Sequence, residues 1–277
     1  MGRTNSILLT FLLILTLHAQ ANPTIEDSLQ IRENLLASLP TTSYALLKTN
    51  TPPCLPPDLS KLWYPFTWKK NIMTTIFWIG EKPCRKNPVP NDKSSWDSKW
   101  VINYGGYDSP NNRLGFIPKG FTPQLNPFYA ALPYNDIETK GTKTEAKHII
   151  PWFSQRFKKN GQSVIKGQWM AIHYKGRVCY AQWEDCGPFE TDNWQYVFGG
   201  ARPRQKAGLD ISPAVRDYLG MKTNDFTDWK FVNLQEIPWG PWTKYGENNI
   251  FSPQYQKMKK ETALTSNQND KMTKQNL

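Results

Sequence analysis

The chain of 277 residues is predicted to be mainly β, a small barrel of short strands with irregular connections and few helices. Three observations carry that expectation. Runs rich in β-branched and aromatic residues recur through the middle of the sequence, and Gly and Pro punctuate them. Twelve Trp, twelve Tyr and thirteen Phe can fill a large core or line a groove for flat ligands.

Residues 1–21 have the form of a cleavable signal peptide. Arg3 supplies the positive start, residues 7–17 are almost continuously apolar, and Ala19-Gln20-Ala21 is a small-x-small cleavage pattern. Crossing a bilayer takes roughly 20 apolar residues, more than this run offers. The expected mature protein is periplasmic or secreted, with no membrane span after cleavage. Residues 22–73 are read as a helical appendage and a Pro-rich linker. Ile25, Leu29, Ile31, Leu35 and Leu36 roughly follow helical spacing, Pro40 ends the run, and residues 51–57 (TPPCLPP) form a tether. Residues 74–99 are a lead-in containing one strand, at 74–80 (TTIFWIG).

The barrel is expected over residues 100–253. Residues 100–106 and 127–133 have strand texture, 169–174 and 177–183 flank Lys175-Gly176 as a hairpin, and 228–234 closes the series. Short helices are expected near 143–157 and 212–219. The second is well marked, with Ser212 as cap, Pro213 in the first turn and Gly220 just past the end. Residues 254–277 are polar and Lys-rich without an apolar period, and are read as a disordered basic tail.

A net charge of +11 on an exported chain favours anionic polymers such as peptidoglycan as partners, and no nucleic-acid motif stands out. Four cysteines suggest at least one disulfide. Cys179 and Cys186 would lie about 23 Å apart along an extended strand, whereas a disulfide needs Cα atoms within about 7 Å. Cys54 with Cys84 is the preferred pair, and pairing between the two sets stays open. His148 and His173 lack metal-ligand spacing with any Cys, so neither a metal nor another cofactor is expected.

The densest chemical signal is Trp183-Glu-Asp-Cys-Gly-Pro-Phe189. Strict alternation puts Cys179, Ala181, Trp183 and Asp185 on one face and Glu184 on the other. Gly187-Pro188 then turns the chain, leaving Asp185 at a strand end where Trp183 and Phe189 can desolvate it. Desolvation raises a carboxyl pKa, as a general acid near neutral pH requires. The competing reading is an Asp that only satisfies turn amides.

Asp185-Cys-Gly-Pro-Phe189, followed by residues 208–220 (GLDISPAVRDYLG), resembles the core of the rare lipoprotein A-like double-psi β-barrel family. Its fold is shared with membrane-bound lytic transglycosylase A, expansins and small inverting endoglucanases. The match spans residues 180–220 and implies a six-stranded double-psi barrel. It implies that Asp185 is the catalytic acid. Asp210 takes a structural role, holding the loop and the following helix, and Ser212 is likewise structural as the cap. The region of the endoglucanases' second carboxylate maps loosely onto Asp136. Tyr104-Gly-Gly106 resembles the opening of the family's first barrel strand. With Trp183, Phe189, Trp194 and Tyr196, Tyr104 completes the expected substrate-binding set. Two departures stand out: Cys186 replaces the family's Arg, and the loop at 190–207 is long, with Trp194, Tyr196, Phe198, Arg202 and Arg204 available to rebuild a groove wall.

The resemblance implies an exported, monomeric glycan-cleaving enzyme acting on peptidoglycan, as a lytic transglycosylase or an endoglycosidase. The alternative is a non-catalytic, expansin-like polysaccharide-binding module, since that fold serves both. N-terminal sequencing of the exported protein should begin at Asn22; recovery of full-length chain in the membrane fraction would defeat the signal-peptide reading.

Overall fold

The structure is a computed structural model that describes residues 64–84 and 87–275, with side chains to residue 265. The signal peptide, the helical appendage, most of the linker and Cys54 lie outside the described residues. Six strands close into a barrel: β1 Lys69–Ile76, β2 Tyr129–Leu132, β3 Trp169–Tyr174, β4 Arg177–Cys186, β5 Leu209–Ile211 and β6 Asp225–Phe231. Their order around the barrel is β1-β6-β3-β4-β2-β5, with β5 returning to β1. Two contacts are parallel, β4 with β2 and β5 with β1; the other four are antiparallel.

The β3–β4 hairpin forms as its sequence foretells. Lys175 (φ 45°) and Gly176 (φ 80°) are both left-handed, the pair of conformations that a two-residue type I′ turn needs. Strand β1 corrects the expected domain limits. It lies within the barrel, pairing with β5 and β6, so the barrel begins at Lys69 rather than Trp100. Its polar start, Lys69-Lys70-Asn71, hides it: Asn71 has φ 54°, and the register with β6 shifts between Lys69 and Ile72.

The run expected as a strand from Trp100 is instead helix α1, Trp100–Tyr104. A five-residue apolar run carries too little period to separate the two forms. Asp97 accepts hydrogen bonds from Lys99 N (2.9 Å) and Asn103 Nδ2 (2.8 Å), and left-handed Gly105 ends the helix. The helix expected near 143–157 is two single turns, α2 Ala146–Ile149 and α3 Phe153–Arg156. Helix α4 is Trp194–Val197, and α5, Pro213–Leu219, has the cap, proline and C-terminal glycine that its sequence marks.

The expected disordered tail is also corrected: Pro253–Gln275 is helix α6. Ser252 Oγ accepts the Tyr255 amide at 3.0 Å, and Pro253 opens the first turn. Lys257 sits 3.9 Å from Glu261, one turn on. No apolar stripe is needed, because from Pro253 to Thr265 the side chains are exposed or half-buried. No helix among the described residues is long and apolar enough to cross a membrane.

The main core fills the barrel and one flank with Trp152, Trp169, Trp183, Trp229, Phe128 and Phe231. A second, smaller cluster of Phe77, Ile79, Trp100, Tyr104, Tyr129 and Ala131 lies against the other face of β2. The segment 77–125 is thereby packed on the outside of the barrel, where it contributes to the site described below.

Ser212 ties α5 to β2. Its Oγ donates to Pro127 O at 2.7 Å and accepts the Val215 amide at 3.3 Å, fully buried. Ser212→Ala should lower stability by about 1–2 kcal/mol in denaturant unfolding, through the lost cap and an orphaned carbonyl.

Candidate active site

Ala131 of β2 is partnered by Asp185 of β4 on one side and by Asp210 of β5 on the other. Thr75 of β1 partners Asp210 in turn. Residues directly opposite one another on neighbouring strands share a face. Thr75, Asp210, Ala131 and Asp185 therefore form one row on the outer face of the barrel. Two strand spacings, about 10 Å, separate the two Asp backbones, and only a methyl group stands between them. Gly187 adjoins the same space, since a Cβ there would lie 3.7 Å from Asp210 Oδ2.

A β-bulge puts Asp185 in that row. Ala130 is opposite Trp183, yet Ala131 is opposite Asp185, so Glu184 is an extra residue. Bulges of this kind re-aim the side chains that follow. Trp183 consequently points into the barrel with Ala130, and Asp185 points out with Ala131. The expectation that Trp183 and Asp185 share a face is corrected on this ground.

Asp185 is 8% exposed, and its Oδ1 accepts the amides of Ser95 (2.8 Å) and Cys186 (2.7 Å). Burial pushes its pKa up to about 6, against those two bonds. Asp210 is half-buried and accepts the Thr75 hydroxyl proton at Oδ1. Burial raises it to about 7; the Thr75 bond opposes that shift, while the charges of Asp185 and Glu81 add to it. Glu184, on the bulge, is raised to about 7 by burial and accepts from Asn248 Nδ2 at 3.0 Å. Two neighbouring carboxyls with raised pKa can keep one proton between them near neutral pH, which is the state a general acid needs.

The remaining expected site residues divide sharply. Asp136 is fully buried and accepts the Val164 amide at Oδ2 (2.7 Å), holding a connecting turn. Its side chain is not accessible; the carboxyl that lies across Ala131 from Asp185 is that of Asp210. Asp210 in turn makes no bond to the loop or helix it was expected to hold, because Ser212 does that work.

Trp183, Tyr104 and Tyr196 have no exposed surface, so none presents a ring face to a substrate. Tyr104 packs in the outer cluster, and Tyr196 accepts from Trp229 Nε1 at 2.6 Å. Trp194 is half-buried against the main core. The long loop is pinned rather than open: Arg202 donates to the carbonyls of Lys70 and Asn71, and Arg204 binds Glu190 and Asp192 O. Only Phe189 of the expected set is well exposed, at 65%. Among the described residues Cys84, Cys179 and Cys186 form no disulfide with one another, and the thiol of Cys186 donates to Tyr134 O at 3.1 Å.

Ser95, Thr75 and Glu81 join the site without having been read from the sequence. No local pattern marks them, since each meets its Asp from 90 or more residues away. No group of His, Cys, Asp and Glu among the described residues is arranged to hold a metal ion.

Raised carboxyl pKa values set the sign of the pH dependence. The folded state holds these protons more tightly than the unfolded chain, so the stabilisation is complete below about pH 4 and is lost as pH rises through about 6–7. Stability should fall between pH 5 and pH 8 by about 1–3 kcal/mol for each of Asp185 and Asp210. In urea unfolding at both pH values, Asp210→Asn should reduce that fall; an unchanged slope would place the Asp210 pKa in the ordinary range.

No protein-family model matches the chain, and no curated protein is significantly similar to it.

Proposed function

We propose that the barrel is of the double-psi type and that the protein is an exported enzyme that cleaves glycan strands, with peptidoglycan its substrate. Asp185 is the general acid and Asp210 its partner. The observation that carries this reading is the row Thr75–Asp210–Ala131–Asp185, which seats two proton-retaining carboxyls across one methyl group. The two parallel contacts flanking the antiparallel β2–β5 pair support the topology, because parallel neighbours require crossover connections. The net charge of +11 suits an anionic polymer.

In the cleavage step the protonated Asp185 donates to the glycosidic oxygen as the bond from that oxygen to the sugar's anomeric carbon breaks. In a lytic route the sugar's own 6-hydroxyl attacks that carbon, and the Asp185 carboxylate takes up the hydroxyl proton. In a hydrolytic route Asp210 removes the proton from an attacking water. Burial keeps the pKa of Asp185 at about 6, so its protonated form is available below about pH 6, and the Ser95 and Cys186 amides hold the carboxyl in place. Phe189 is the expected stacking surface. It holds a left-handed backbone, φ 65°, while displaying its ring to water; for a bulky side chain that conformation is strained, and strain of this kind concentrates at functional sites.

Incubation with purified sacculi and mass spectrometry of the products tests the reading. New 1,6-anhydro ends identify the lytic route and new reducing ends the hydrolytic one. Asp185→Asn should lower the cleavage rate about 10²–10⁴-fold while leaving sacculus binding intact. Binding without products from the wild-type protein would assign the chain to the binding modules instead.

A further inference from the structure

Gln182 and Glu184 lie two apart on β4, so both side chains leave the same face, opposite to Trp183. Both are buried, and both reach Asn248. Gln182 Nε2 donates to the Asn248 backbone O at 2.9 Å, and Glu184 Oε1 accepts from Asn248 Nδ2 at 3.0 Å. Asn248 is itself fixed. Its Oδ1 accepts the Asn126 amide at 2.8 Å, and Asn126 Nδ2 donates to Gln182 Oε1 at 2.8 Å, which closes a ring of bonds. Asn248 sits in a turn closed by the Asn249 amide on Gly246 O at 3.1 Å. Gly246 has φ 104°, and a Cβ there would lie 2.3 Å from Asn126 N, so only glycine lets the turn come this close.

These contacts determine where the extra residue of β4 goes. The ladder of β3 with β4 ends at Trp169 and Gln182, and β2 is back in step at Asp185. Glu184 therefore lies past the end of the β3 ladder and has no residue opposite it on β2. With Gln182 and Glu184 held on one face, regular alternation survives as far as Glu184. The irregularity then falls between Glu184 and Asp185, and Asp185 turns outward. A buried polar network whose members are all bonded specifies one arrangement, because any other leaves a buried group without its partner.

We propose that Asn248 is a positioning residue for Asp185: by holding Glu184 it fixes the bulge, and through the bulge it aims the acid. Asn248 touches neither acid of the row, so its effect passes through the β4 backbone. The proposal rests on the glycan-cleaving reading only where activity is measured; the aim of Asp185 can be read without any substrate.

The Ser95 amide proton, which Asp185 Oδ1 accepts, reports that aim. In NMR titration of the wild type its signal should shift with a midpoint near pH 6. Glu184→Ala and Asn248→Ala should each abolish that shift, and the double variant should add nothing, since both remove the same bond. Glu184→Gln, whose carbonyl can accept the same bond, should keep it. A role in stability alone would lower the melting temperature and leave the Ser95 shift in place. In sacculus cleavage the two Ala variants should lose about 10²-fold in rate with sacculus binding unchanged. Glu184→Ala deletes a carboxyl whose burial is unfavourable, so it should fold even where Asn248→Ala does not, and its comparison with Glu184→Gln then decides. A wild-type Ser95 shift in Glu184→Ala, or its loss in Glu184→Gln, would overturn the proposal. Loss of the shift in the Ala variants alone, in a protein that never cleaves sacculi, would uphold it and remove the glycan reading.

Discussion

Glu184 is one residue more than β2 can match, and the bulge it makes turns the Asp185 carboxyl from the barrel interior to the outer face. Without it, strict alternation would bury Asp185 beside Trp183 among the aromatic side chains of the core. With it, Asp185 lands in register with Ala131 and therefore in line with Asp210. The side chain at 131 also has to be small, since a larger one would fill the slot between the two acids. The site thus depends on one irregularity in one strand pair, placed where the parallel β4–β2 contact meets the antiparallel β2–β5 contact.

Holding carboxyls there costs stability, and the structure shows how the cost is limited. Glu184, Asp185 and Asp210 are each given at least one donor: Asn248, the Ser95 and Cys186 amides, and Thr75. These bonds soften the burial penalty without removing it, so all three acids keep raised pKa values. A fully satisfied carboxylate would sit far lower and be useless as a proton donor near neutral pH. The segment 77–125 supplies Ser95 and Glu81 and is itself held by a separate aromatic cluster, so the acids are positioned by two packed layers rather than by one loop.

Aromatic residues are spent mainly on the core. A six-stranded barrel has a narrow interior that large side chains fill well, and Trp183 stacks on Phe231 with ring centroids 5.7 Å apart inside it. Tyr104, Trp183 and Tyr196 were expected at a groove from the family resemblance, the motif strand and the long loop that follows it. Nearness in sequence says little about exposure when consecutive strand residues face opposite sides. The one ring of the expected set that is well exposed, Phe189, is marked by its left-handed backbone rather than by residue type.

Local chemistry by itself determined a good deal: a chain rich in short strands, the Lys175-Gly176 hairpin, helix α5 with its Ser212 cap and Gly220 stop, and Asp185 at the end of a strand. Each follows from turn preference, capping or alternation over a few residues. The same chemistry, Ser252 followed by Pro253, stands at the start of α6, but the tail was read as disordered for want of an apolar stripe, which an exposed helix does not need. Tertiary structure alone decided that Lys69–Ile76 closes the barrel, that Trp100–Tyr104 is a helix, and that Asp210 rather than Asp136 stands beside Asp185. Strand pairing across 50 or more residues sets the first and the last of these. A single inserted residue reverses which face a side chain occupies, so no reading of neighbouring residues could have assigned them.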